Sequence, residues 1–100
     1  MVELTIRIEV ELLGALRKIV GRDLFLLEFN DSATVRDIIA ELANLLSPKF
    51  KQVLVDPELN DPRPNVIILL NRVEIGVLEG LDTKVENGDK LVLIPVTHGG

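Results

Sequence analysis

The sequence predicts an α+β domain, a mixed sheet of four to five strands with one main helix packed on one face. Three observations predict it. Residues 2–12 alternate apolar and polar side chains, residues 34–46 carry apolar side chains at helical spacing, and residues 90–96 form a second apolar run far along the chain. A first and a last strand separated by a helix are free to lie side by side and parallel, since parallel neighbours need a long crossover.

Each element has its own signal. In residues 2–12 the apolar set Val2, Leu4, Ile6, Ile8, Val10 and Leu12 faces one way, and Glu3, Thr5, Arg7, Glu9 and Glu11 face the other. Residues 13–20, punctuated by Gly14 and Gly21, read as a short helical turn or tight loop, and residues 23–29 as the returning strand of a wide hairpin. Thr34 followed by Asp37 is a capping-box signature, and Val35, Ile38, Ile39, Leu42, Leu45 and Leu46 then follow at helical spacing. Pro48 disfavours helical geometry at Ser47 and stops this helix. Residues 49–55 fit either a short helix or an extended connector. Residues 56–65 (DPELNDPRPN) hold three prolines and predict an exposed loop. Residues 66–70 form an apolar strand, Asn71-Arg72 a turn, residues 73–77 a short strand, Asn87-Gly88-Asp89 a turn, and residues 90–96 the last strand.

Composition narrows the function. Of 100 residues, 47% are hydrophobic and only Phe25, Phe29 and Phe50 are aromatic, so the core must be aliphatic. With no cysteine there are no disulfides, thiolate metal sites or cysteine nucleophile, and an intracellular, cytoplasmic protein is expected. The opening residues alternate rather than form an apolar run, so neither an export signal nor a membrane anchor is expected. A net charge of −5 has the wrong sign for phosphate backbones, so no direct nucleic-acid partner is expected. The single histidine, His98, allows no two-histidine metal site. Catalysis by this chain alone is not expected.

The order strand, strand, helix, strand, short strand, strand satisfies a β-grasp topology. Together with the stretches LNRVEI and LEGLDTKVENGDKLVLIP, the segment Val20-Gly21-Arg22 and the ending Gly99-Gly100, it resembles the ubiquitin-like sulfur carrier and modifier families. These include MoaD, ThiS, the small archaeal modifier proteins and the ubiquitin-related modifier. Residues 1–95 are expected to form the ubiquitin-like domain and residues 96–100 a flexible tail. Thr97-His98-Gly99-Gly100 is similar to the end of the ubiquitin-related modifier, while Pro95 keeps part of the MoaD pattern.

The resemblance implies that the Gly100 carboxylate is activated with ATP by a ubiquitin-activating-type adenylating enzyme, no cofactor being bound permanently. A persulfide-bearing donor protein would then make it a thiocarboxylate for sulfur transfer, as in tRNA thiolation, or a target lysine would make it an amide. Two glycines suit this because they give a slender chain that allows close approach. Thr97 and His98 would set the reach, with His98 a spacer or partner contact. Two alternatives are a MoaD-type small subunit of molybdopterin synthase, which would bind that enzyme's large subunit, and a non-covalent binding module.

A partner surface is also expected. If Leu91 and Leu93 face the core, Val92 and Ile94 point outward and would form with Ile67 and Leu69 an exposed apolar patch beside the tail. Lys18, Lys49, Lys51, Lys84 and Lys90 are possible acceptors of another copy's Gly100, although exposed lysines are ordinary on any surface. Asp56, Glu58, Asp61 and Asp82 are expected to be solvated loop carboxylates, with no metal assigned.

Overall fold

A computed structural model describes residues 5–96. Strand β1 (Thr5–Leu12) runs into helix α1 (Gly14–Val20), and β2 (Leu24–Asn30) returns antiparallel to β1. Of the short helical turn or tight loop expected here, the structure forms the helical alternative, a two-turn helix that buries Leu16 and ends at Gly21. Gly21 adopts φ +77° and its N–H closes on the Arg17 carbonyl, the left-handed stop that glycine tolerates best.

A two-residue strand, β3 (Ala33–Thr34), leads into the long helix α2 (Val35–Leu45). Its capping box is formed as expected: the Asp37 N–H donates to Thr34 Oγ1 at 3.3 Å and the Thr34 N–H donates to Asp37 Oδ2 at 2.9 Å. Val35, Ile38, Ile39 and Leu42 are buried, one stripe of an amphipathic helix. α2 ends at Leu45, with the Leu46 N–H closing on the Leu42 carbonyl, and Ser47 begins the next helix. Its hydroxyl accepts from the Phe50 N–H at 3.2 Å, capping α3 (Pro48–Leu54), whose Pro48 occupies the start of the helix, where no N–H is required. Residues 49–54 thus resolve as helix, with Val55 as its extended C-cap, and Phe50, fully buried, is the one aromatic at the centre of an otherwise aliphatic core.

The chain then forms β4 (Val66–Leu70), β5 (Val73–Glu74), β6 (Lys84–Val85) and β7 (Lys90–Pro95). Five strands make a mixed sheet in the order β2-β1-β7-β4-β5, with β1 and β7 parallel and the other pairs antiparallel. The first and last strands therefore lie adjacent at its centre. β3 and β6 form a separate two-stranded ladder that the sequence did not reveal, each being too short for a period to register. Residues 73–77 are not a strand throughout. Only Val73 and Glu74 pair with β4, after which residues 75–77 wind into a 3₁₀ turn, with the Glu74 carboxylate accepting the Gly76 N–H. Ile75 is buried there.

The Asn71-Arg72 turn has φ +49° and +73°, the paired left-handed geometry that joins strands in a two-residue hairpin. Asn71 suits it and also bolts the turn to β7, because Lys90 N–H donates to Asn71 Oδ1 at 3.0 Å and Asn71 N–H to the Lys90 carbonyl at 2.9 Å. Arg72 has no such adaptation. Arg72→Gly is expected to stabilise the fold by up to about 1 kcal/mol, read as a higher urea midpoint at unchanged slope.

The proline-bearing loop is more ordered than its composition suggests. Asp56 Oδ1 accepts from the N–H groups of Glu58 and Leu59, and Pro62 is buried. Asp61 pairs with Arg63 at 2.5 Å, and that hydrogen bond holds the Asp61 carboxyl below its ordinary value of 3.8. A lowered carboxylate favours the folded state above that value and loses its contribution as pH falls through the folded one. Because the Arg63 side chain is 52% exposed, the pair is worth at most about 1 kcal/mol at pH 7. The urea midpoints of wild type and Asp61→Asn are expected to differ at neutral pH and to converge below pH 3.8.

Candidate functional site

The site is built around the point where β7 leaves the sheet. Leu91 and Leu93 are fully buried in the core, and alternation turns Val92 and Ile94 to the opposite face. The register sets Ile94 opposite Ile67 and Val92 opposite Leu69. The four side chains singled out in the sequence thus form two cross-strand pairs on one face; Ile67 is 43% exposed and the other three are half-buried.

The same face continues onto β1 and β2. Val92 lies opposite Glu11, Glu11 opposite Leu24, and Glu9 opposite Leu26. Lys90 bridges the acidic ridge between the apolar areas, its Nζ 3.1 Å from Glu11 and 3.9 Å from Glu9. Leu24 and Leu26, 41% and 63% exposed, extend the apolar surface and were missed in the sequence. The alternation in LFLLEFN carries that signal: Leu27 points to the core, so Leu24 and Leu26 must point away.

On either side of Ile94 the backbone is held by a hydrogen bond. Leu13 N–H donates to the Leu93 carbonyl at 3.1 Å, and Val96 N–H donates to the Asn65 carbonyl at 2.9 Å. Asn65 is itself fixed, its Nδ2 donating to the Val53 carbonyl at 3.0 Å. Gly14, at φ +54°, lies against Pro95, and a Cβ there would sit 3.4 Å from Pro95 Cγ. Asn65 and Gly14, neither evident from the sequence as a contributor, therefore brace the root of the C-terminal segment. Thr97, His98, Gly99 and Gly100 lie outside the described residues, as do residues 1–4.

The other candidates are dispersed. Asp82 pairs with Arg36 at 3.1 Å, Asp61 with Arg63, and Asp56 caps its own loop. Among the described residues no group of three or more metal-ligating side chains converges. Lys90 is engaged in the acidic ridge, whereas Lys18, Lys49, Lys51 and Lys84 are exposed at separate places. No helix among the described residues is long and apolar enough to cross a membrane.

Comparison with known proteins fits this geometry. The sequence profile of the ThiS family matches residues 10–100. Small archaeal modifier protein 3 of Haloferax volcanii is 27% identical over 93 residues, covering 93% of this chain and 98% of the relative. A putative sulfur carrier protein of Archaeoglobus fulgidus is 31% identical over 71 residues, covering 70% and 77%. The solution structure of small archaeal modifier protein 1 from Methanosarcina acetivorans superposes with a TM-score of 0.77 at 25% identity, covering 97% of this chain and 99% of that one. A β-grasp sheet with a central parallel pair, matched along almost its whole length, makes this chain a member of the ThiS family of ubiquitin-like sulfur carriers and modifiers.

Proposed function

We propose that this chain is a cytoplasmic sulfur carrier and protein modifier that works through the carboxylate of Gly100. The observation that carries this reading is the braced exit of β7. The strand at the centre of the sheet delivers the last residues from a fixed point, beside an apolar surface on which an enzyme can seat.

The chemistry follows from a carboxylate's poor electrophilicity. In an activating enzyme a Gly100 carboxylate oxygen attacks the α-phosphate of ATP, and pyrophosphate leaves. The terminal sulfur of a donor protein's persulfide then attacks the acyl-adenylate carbonyl and expels AMP. A thiol cleaves the resulting acyl disulfide, giving the Gly100 thiocarboxylate and a new disulfide. The thiocarboxylate sulfur attacks an acceptor carbon activated as its adenylate, as on a tRNA base, AMP leaves, and hydrolysis of the acyl–sulfur bond returns the Gly100 carboxylate. If a lysine amine attacks the acyl-adenylate carbonyl instead, AMP leaves and an isopeptide bond forms. Relatives named as a modifier and as a sulfur carrier support keeping both products.

The test is the state of the terminal peptide. The protein is tagged at its N-terminus, recovered from its host without thiol reagents and digested with trypsin. No lysine or arginine follows Lys90, so the peptide spans residues 91–100. A thiocarboxylate, or a foreign lysine joined to Gly100, is the expected result, and their ratio ranks the two uses. Free acid alone, with the activating enzyme present, would overturn the proposal.

A further inference from the structure

The chain has 16 acidic and 11 basic residues, yet three of its cations gather at one end of α1. Arg17, Lys18 and Arg22, with Gly21 and Asp23, line a hollow of about 300 Å³. Among the described residues the ion pairs engage Arg7, Arg36, Arg63 and Lys90, and none of these three. Arg22 is nonetheless held in place: its Nε donates to the Leu24 carbonyl at 2.9 Å and its guanidinium lies 4.4 Å from the centroid of the Phe25 ring. A surface arginine fixed by a ring and a carbonyl, but not by a carboxylate, retains donors for an external anion. Gly21 leaves the hollow open, since nothing lies within 4 Å of where its Cβ would be.

Position connects this patch to the carboxy-terminal segment. α1 begins at Gly14, which lies against Pro95, and its seven residues span only about 10 Å to the basic end. A protein that receives the residues after Val96 therefore has the cationic hollow within reach of the same footprint.

Resting on the proposed function, we infer that Arg17, Lys18 and Arg22 form a second docking point, which receives a carboxylate-bearing segment of the enzyme that activates the tail. Charge complementarity selects that occupant. Three cations suit one or two side-chain carboxylates, whereas a nucleic-acid backbone demands a longer basic track, and this molecule's net −5 repels it. The Asp23 carboxylate in the wall adds to the discrimination against dense negative charge. Such a contact steers encounter and orients the partner more than it adds affinity.

Two measurements on the full chain test this. In the first, backbone amide NMR signals are followed while a hexaglutamate peptide, and separately a single-stranded RNA oligonucleotide, is added at low salt. The glutamate peptide is expected to shift the amides of Arg17, Lys18, Gly21 and Arg22. Absence of those shifts, or tighter binding of the oligonucleotide at the same residues, overturns the inference. In the second, ATP–pyrophosphate exchange by the host's activating enzyme is compared for wild type and a variant carrying Arg17→Glu and Lys18→Glu, with Arg17→Gln and Lys18→Gln as a gentler pair. KM is expected to rise about tenfold in the charge-reversed variant at low ionic strength, with the gap closing at high salt, where steering is screened. If wild type supports no exchange, the proposed function fails and the peptide titration still judges the patch. If wild type exchanges and both variants match it at every salt concentration, the docking inference alone fails.

Discussion

On the proposed function, a chain lacking Gly100 is expected to lose ATP–pyrophosphate exchange with an activating enzyme by at least about 100-fold, and to lose both the thiocarboxylate and the isopeptide product. The reason is reach. One residue of extended chain spans about 3.3–3.6 Å, and a displacement of even 1 Å from the reacting position can cost about 100-fold in rate. Deleting Gly100 withdraws the carboxylate by a whole residue and puts Gly99 in its place. Adding an alanine after Gly100 displaces it the other way, with a Cβ at the narrowest point, and should be equally inactive. Neither change should move the urea midpoint, because the described hydrogen bonding of β7 and its exit ends with Val96 donating to Asn65. Retained exchange in either variant would show that the terminus is not the reacting group.

Much of the scaffold behind this prediction was legible because its signals are local and repeated. The alternation in β1 and the capping box of α2 each state a period and a boundary within a dozen residues. The central parallel pair followed from the crossover that separates β1 from β7. What escaped reading depends on contacts distant in sequence. β3 and β6 are two residues each and are specified by pairing with one another across some fifty residues, not by any internal pattern. The winding at Ile75 obeys the core's need for that side chain, overriding a stretch whose Val-x-Ile-x-Val spacing is that of a strand. Pro62 is buried although prolines in polar loops ordinarily mark exposed turns.

The candidate site divides in the same way. Outward placement of Val92 and Ile94 was readable from period two once Leu91 and Leu93 were taken inward, and the same logic applied to β2 would have found Leu24 and Leu26. Asn65 and Gly14 were not readable. Asn65 sits among prolines with nothing to mark its hydrogen bonds to Val53 and Val96, and Gly14 acquires meaning only because β7 ends against it. The basic cluster was obscured by the acidic average, since net charge reports a sum and docking depends on where the charges lie.

Adjacent residues of β7 are expected to separate stability from recognition. Leu93→Ala removes a fully buried side chain from the central strand and should cost about 2–5 kcal/mol, because the rigid sheet and the helices cannot collapse into the space left. Ile94→Asp, one residue on, points away from that core and should cost about 1 kcal/mol in urea unfolding, the range in which strand preference operates on an outer face. The order reverses for binding. If the surface of Ile67, Leu69, Val92 and Ile94 seats the activating enzyme, Ile94→Asp forfeits the burial of one aliphatic side chain, worth about 1.5–3 kcal/mol, and forces a carboxylate against an apolar partner. At about 1.4 kcal/mol per decade, Kd should rise at least about tenfold. Leu93→Ala, assayed under conditions where it remains folded, should bind within a few-fold of wild type. Calorimetric titration of each variant with the activating enzyme measures both. An Ile94→Asp chain that binds as wild type does would mean that the tail is handed over without this surface, leaving the braced exit at Pro95 and Val96 and the α1 cations to orient it.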